Sequence, residues 1–201
     1  MKALFEKPYV GKALRALKPW ALWIGLFVVL KVTGLGSEIT YTTQSMLLKA
    51  GVFDATPTPR AEEDFPYSFR VKDLNGKVVE MKDLKGKVIF LNLWATWCGP
   101  CRAEMPSIQK LYNEVDKEKI AFVILSLDQE NQSKKVARFV SQKDFSFPVY
   151  LPASPLPDAL RVNTIPTTFI VGTDGKIKHK KVGMANYDTP EMRAFLSKLT
   201  Q

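Results

Sequence analysis

The chain has 201 residues, enough for one substantial domain and an appendage. Hydrophobic residues make up 46% and charged residues 24%, the ordinary balance of a globular protein. The net charge of +9 is spread along the chain and not gathered in one patch, which argues against a nucleic-acid-binding surface.

Residues 1–18 form a basic, cytoplasmic segment in which Lys2, Lys7, Lys12, Arg15 and Lys18 face only Glu6. The apolar run 19–30 follows and would rise ~18 Å as a helix. Continued to Gly36 it reaches ~27 Å, near the ~30 Å of a hydrocarbon core. Trp20 and Trp23 suit one interface, and Lys31 can snorkel to the other. Positive charge ahead of an apolar run predicts a single-pass anchor over 19–36, with the rest of the chain outside the cytoplasm, on the periplasmic or extracytoplasmic side. A cleaved signal peptide is the competing reading, with Gly34 and Gly36 as small residues before Ser37 but no A-x-A site. A buried core helix fits poorly with five basic residues before it. No cysteine lies near the segment, so thioether lipidation is excluded.

Residues 37–63 read as a linker, with the proline-bearing polar stretch 56–64 near its end. Residues 44–53 suit one short amphipathic turn or helix. The folded domain is expected over 64–201. Residues 67–72 and 77–80 flank Asp73-Leu74-Asn75-Gly76, a β-hairpin signal. Val88–Trp94 is an apolar run with the character of a central strand. A helix is expected from the cysteine pair through Val115. Residues 120–127 form a second buried strand, 133–142 a helix through Val136, Phe139 and Val140, and 147–151 a short strand. Residues 167–171 and 176–182 form a hairpin around Thr173-Asp174-Gly175, and 189–199 a closing helix with Met192, Phe195, Leu196 and Leu199 on one stripe. This order predicts a mixed α/β sandwich.

The chemistry centres on Trp97-Cys98-Gly99-Pro100-Cys101, which holds both cysteines of the chain. The pair falls where a strand ends and a helix begins, where free N–H groups and the helix dipole favour a thiolate. Cys98 is then the attacking thiol and Cys101, one turn later, the resolving one. Pro100 is tolerated in a first turn because its missing N–H has no helical partner there. Two plainer readings compete. A structural disulfide closing so short a loop adds little stability. A zinc site wants four ligands, and the chain offers two cysteines and the single His179, on a strand whose solvent face is cationic.

The motif resembles the thioredoxin superfamily, whose active-site signature is W-C-G-P-C. The resemblance spans roughly residues 65–199, with strong motifs at 94–106 and 164–169. It implies a thioredoxin-like three-layer sandwich with an N-terminal hairpin extension. In Thr164-Ile165-Pro166-Thr167, similar to the family's T-x-P-T, it implies a cis Pro166 facing the reactive cysteine. The main chain of Ile165 would then pair with an extended substrate, and Trp97, Gly99, Pro100, Ile165 and Pro166 form the substrate-binding surface. Taken alone, a proline before a strand is mostly trans. Thioredoxin carries a buried aspartate six residues before its first cysteine; here that position is Asn92, which cannot ionise. Glu104, three residues after Cys101, is the replacement candidate, against the plainer reading of an acid complementing the helix dipole. The continuation Cys101-Arg102-Ala103-Glu104-Met105-Pro106 resembles the TlpA/ResA-type membrane-tethered thioredoxin-like proteins, in which the matching glutamate tunes the active-site thiols.

The resemblance implies a thiol-disulfide oxidoreductase that reduces disulfides of exported proteins such as cytochrome c apoproteins. It needs no cofactor or metal and draws electrons from a membrane donor. Two rivals remain: a peroxiredoxin-type thiol peroxidase, which Thr96-Trp97-Cys98 matches poorly, and a non-enzymatic metal-carrying dithiol protein.

Overall fold

Strand-forming apolar runs set the centre of the fold, and turns rich in Gly, Asp and Pro set its connections. The computed structural model describes residues 63–201 together with 23–25, 29, 54 and 55. Residues 23–25 are helical. The rest of the expected anchor, the basic segment 1–18 and most of the linker lie outside the described residues. Among the described residues, no helix is long and apolar enough to cross a membrane. Residues 1–40 and 41–201 are separate units, and the fold belongs to the second.

Among the described residues, eight strands occur in chain order: β1 (Glu63–Asp64), β2 (Arg70–Asp73), β3 (Val78–Glu80), β4 (Val88–Trp94), β5 (Ile120–Ser126), β6 (Val149–Pro152), β7 (Thr167–Val171) and β8 (Lys176–Val182). Three α-helices interleave them: α1 (Gly99–Glu114), α2 (Ser133–Gln142) and α3 (Pro190–Leu199). The strands form one mixed sheet in the order β1-β8-β7-β4-β5-β6-β2-β3. β4, β5 and β6 run parallel, β7 runs antiparallel beside β4, and β8 runs antiparallel beside β7. β4 is buried at all its positions, as a strand flanked on both sides and covered on both faces must be.

The expected hairpin forms, but it starts later, at Arg70, and its turn is held by a side chain. Asp73 Oδ1 accepts from the N–H groups of Asn75 and Lys77 at 2.9 and 2.8 Å. Gly76 closes the turn at φ 86°, which L side chains rarely adopt. β2 pairs with β6, so the hairpin widens the main sheet instead of standing apart from it.

Alternation along β4 assigns its two faces. Val88, Phe90 and Trp94 join one apolar cluster with Met105, Ile108 and Leu111 of α1, Val136 and Val140 of α2, and Met192 and Leu196 of α3. Ile89, Leu91 and Leu93 join another with Phe65, Phe69, Met81 and Leu160. All three α-helices therefore cover one face. Among the described residues, the second outer layer is built from the chain before β2 and two short 3-10 turns, Met81–Leu84 and Asp158–Leu160, without an α-helix. The physical reason lies between β6 and β7, where Pro155 and Pro157 remove backbone donors that an α-helix needs.

Structure is also described within the stretch read as linker. β1 begins at Glu63 and pairs with β8. Further back, Asp54 bridges to Asn186, and Ala55 is fully buried.

Candidate active site

The cysteine pair sits at the junction of β4 and α1. Trp94 ends the strand fully buried, and Thr96 is nearly so. The intervening turn is pinned by Asp128, which follows β5. Its carboxylate accepts from Thr96 N–H at 2.8 Å, Thr96 Oγ1 at 2.6 Å and Ser126 Oγ at 2.7 Å. Cys98 is the N-cap of α1, with extended backbone, and its Sγ accepts from the Cys101 N–H at 3.2 Å. That is the predicted sulfur at a helix N-terminus, and Pro100 lies in the first turn as expected.

Cys98 and Cys101 are joined in a disulfide with a 5.3 Å Cα–Cα separation. Cys101 is wholly buried and Cys98 is 6% exposed. Attack from outside therefore reaches Cys98 first. The Ile165–Pro166 peptide is cis. The Ile165 carbonyl oxygen lies 3.7 Å from Cys98 Sγ, so the predicted partner segment does face the reactive sulfur. The Gly183 N–H donates to the Pro166 carbonyl at 2.8 Å and holds that segment in place. Trp97 is 65% exposed, an unusual position for so large an apolar side chain, and Gly99 and Pro100 are half-buried beside it.

Glu104 is not a surface acid. It is completely buried on the face of α1 that meets β4, one turn beyond Cys101. Its Oε1 accepts from Asn92 Nδ2 at 2.7 Å, and its Oε2 accepts from the Ala185 N–H at 3.1 Å. Burial pushes its carboxyl up from 4.5 to about 8, against the smaller opposing pull of these two hydrogen bonds and of the Lys181 charge. At neutral pH it holds its proton. Asn92 Nδ2 also donates to Thr168 Oγ1 at 2.9 Å, and the Tyr187 hydroxyl donates to the same oxygen at 2.6 Å. Burial and the nearby Glu104 hold Tyr187 well above its ordinary value, so it stays a neutral donor. Asn92, which cannot ionise, thus orients an acid that can.

Sequence reasoning missed Thr168, Tyr187 and the Ala185 amide. Thr168 carried a signal, since it follows the Pro166 motif directly; Tyr187 and Ala185 carried none, because only the tertiary fold brings that loop to α1. Asp128 was missed as well, although an acid directly after a buried strand is a usual place for a loop clamp. His179 is buried on β8 with its ring edge-on to Phe195 of α3 at 6.2 Å. A bulge where Val171 faces Ile177 and Ile170 faces His179 turns it to the helix side. Among the described residues, no group of three or more His, Cys, Asp or Glu side chains is placed to hold a metal.

Known proteins are similar to this chain in sequence and fold. Residues 62–180 match the AhpC/TSA family. Thiol-disulfide oxidoreductase ResA of one Bacillus cereus strain is 37% identical over 134 residues, 66% of this chain and 75% of that protein. ResA of a second Bacillus cereus strain (ATCC 10987 / NRS 248) is 32% identical over 176 residues, 87% of this chain and 96% of that protein. Among solved structures, StoA from Bacillus subtilis is 26% identical with a TM-score of 0.53, covering 68% of this chain and all of that one. Cys98 poised beside a cis-proline segment and these relatives lead to one conclusion: the chain belongs to the thioredoxin-like AhpC/TSA family and is a thiol-disulfide oxidoreductase of the ResA type.

Proposed function

We propose that the protein is a membrane-tethered reductase of disulfides in exported proteins, with cytochrome c apoproteins as a fitting target class. The observation that carries this reading is Cys98 at the start of α1, the more accessible sulfur, beside the Ile165 carbonyl. The reduced Cys98 thiolate attacks a target disulfide and expels one target thiolate. The Cys101 thiolate then attacks Cys98 Sγ, expels the Cys98-bound target sulfur as the second thiolate, and closes the intramolecular disulfide. Two electrons pass to the target. A membrane electron donor reopens the Cys98–Cys101 bond for the next cycle.

Trp97 offers an exposed apolar surface to the target, and the Ile165 main chain offers a partner for an extended segment. Glu104 stores a proton one turn from Cys101. A carboxyl titrating near 8 is matched to giving and taking a proton close to neutral pH. The basic segment and the apolar run 19–36 support export and anchoring.

Equilibration of the full chain in detergent with a glutathione or dithiothreitol redox buffer tests the direction. The Gly99-Pro100 dipeptide predicts a potential near the thioredoxin value of about −270 mV. A potential close to about −120 mV would make the protein an oxidant and overturn the reductase reading. Rapid peroxide consumption, with no reduction of protein disulfides, would point to the peroxidase alternative.

A further inference from the structure

The chain ahead of the domain reaches back into the active site. Asp54 and Ala55 lie eight and more residues before β1, in the stretch read as linker. The Ala55 N–H donates to the Asn186 carbonyl at 3.0 Å. Asn186 Nδ2 donates to Asp54 Oδ1 at 2.9 Å. The Ala55 side chain is fully buried in the cluster that contains Ala185 and Tyr187.

The loop so held is the one that closes over Glu104. The Ala185 N–H donates to Glu104 Oε2 at 3.1 Å. The Tyr187 N–H donates to Ser107 Oγ at 3.1 Å, and Ser107 Oγ donates to the Glu104 carbonyl at 2.7 Å. The loop 185–187 is thus clamped between α1 on one side and residues 54–55 on the other.

We propose that Asp54 and Ala55 form a strap that positions the active site: by holding loop 185–187 in place, they keep Glu104 closed off from water beside Cys101. This role rests on the reading of Glu104 as the proton-holding neighbour of the thiols. It makes Asp54 and Ala55, ahead of β1, a working part of the enzyme. Besides Cys101 on its own helix, Glu104 meets Asn92 of β4 and the Ala185 N–H, with the charge of Lys181 of β8 and the Tyr187 hydroxyl of the loop acting on it. Of these, Cys101 titrates once reduced, Tyr187 stays neutral and Lys181 favours the carboxylate. Dry surroundings keep the acid protonated, so water entering from the loop side shifts Glu104 toward its ordinary range.

The test uses the full chain in detergent, with three variants. Ala55→Pro removes the backbone donor, Asp54→Ala removes the side-chain acceptor, and Asp54→Asn keeps an acceptor oxygen. Three readouts are taken: exchange of the Ala185 amide, the carbon-13 titration of the Glu104 carboxyl in the oxidised protein, and the pH profile of insulin-disulfide reduction. The expected result is faster Ala185 exchange and a Glu104 titration lowered by about one unit or more in Ala55→Pro. Asp54→Ala shows the same direction, and Asp54→Asn behaves as the parent. The shift in pH profile vanishes when the strap variants are placed on Glu104→Gln. Unchanged Ala185 exchange overturns the strap, as does faster exchange with an unmoved Glu104 titration. If Glu104→Gln alone leaves the pH profile unmoved, the proton role of Glu104 fails and the strap's link to catalysis falls with it. The Ala185 exchange then separates that outcome from failure of the strap itself. Should Ala55→Pro not fold, Asp54→Ala and its Asn rescue carry the test.

Discussion

Glu104 shows how a residue's neighbours, more than its type, decide its chemistry. A glutamate in the second turn of a helix is ordinarily a solvated acid; here the fold buries it against β4 and raises it to about 8. The folded protein keeps this proton up to about pH 8, whereas the unfolded chain releases it near 4.5. The folded state therefore binds more protons in that window. Stability contributed at this site falls as pH rises from about 4.5 to about 8 and is flat beyond it. The full effect is on the order of 5 kcal/mol at about 1.4 kcal/mol per unit. Urea melts of Glu104→Gln should lack that slope; an unchanged slope would mean that Glu104 is not the group responsible. The reading of Glu104 as a proton store predicts that, in the reduced protein, the Glu104 and Cys101 protons titrate as a coupled pair. Glu104→Gln removes the charge, so the upper apparent thiol pKa should fall by about one unit, while insulin reduction slows from loss of the proton store. Alkylation rates against pH measure the first effect and turnover the second. At this scale the cysteines and Pro166 were legible in the sequence, because motif and spacing identify them. The position of Glu104 was legible as a candidate, but its burial was not. Burial depends on Asn92, Thr168 and Tyr187 arriving from three other segments.

At the scale of elements, local pattern carried a great deal. The Val88–Trp94 run became β4 over those same residues, and the periodicity of 133–142 became α2. The hairpin signals at Asn75-Gly76 and Asp174-Gly175 both produced turns, with Gly76 and Gly175 at positive φ. Missing was anything set by contacts across the chain. The β7–β8 bulge inverts the facing of His179, and no alternation pattern in Lys176–Val182 announces it. Among the described residues, the second outer layer has no α-helix because of prolines whose effect is local but whose consequence is architectural. The C-terminal helix offers a clean test of capping. Thr189 Oγ1 accepts from the Met192 N–H at 3.1 Å as the N-cap of α3. Thr189→Ala should cost about 1 kcal/mol, and Thr189→Ser should restore most of it. Thermal unfolding should show a midpoint lowered by about 2–5 °C. An unchanged midpoint would mean that the cap contributes nothing.

For the whole molecule, the sheet, the helix layer and the active-site turn form one mechanical unit around Cys98. Asp128 pins the turn from β5, Ile165 closes it from the chain before β7, and loop 185–187 seals Glu104 from behind. The proposed topology places this unit outside the cytoplasm. A reporter fused after Gln201 should be active only there, and activity in the cytoplasm would sink the export reading. In the proposed cycle Cys98 exchanges disulfides with protein targets and Cys101 resolves them. The most direct measurement is mass spectrometry of mixed disulfides formed in cells by the full chain carrying Cys101→Ala or Cys98→Ala. Abundant target adducts are expected on Cys98 in the Cys101→Ala protein and few on Cys101 in the Cys98→Ala protein, because Cys101 is buried. Equal trapping by both variants, or none by either, would contradict it.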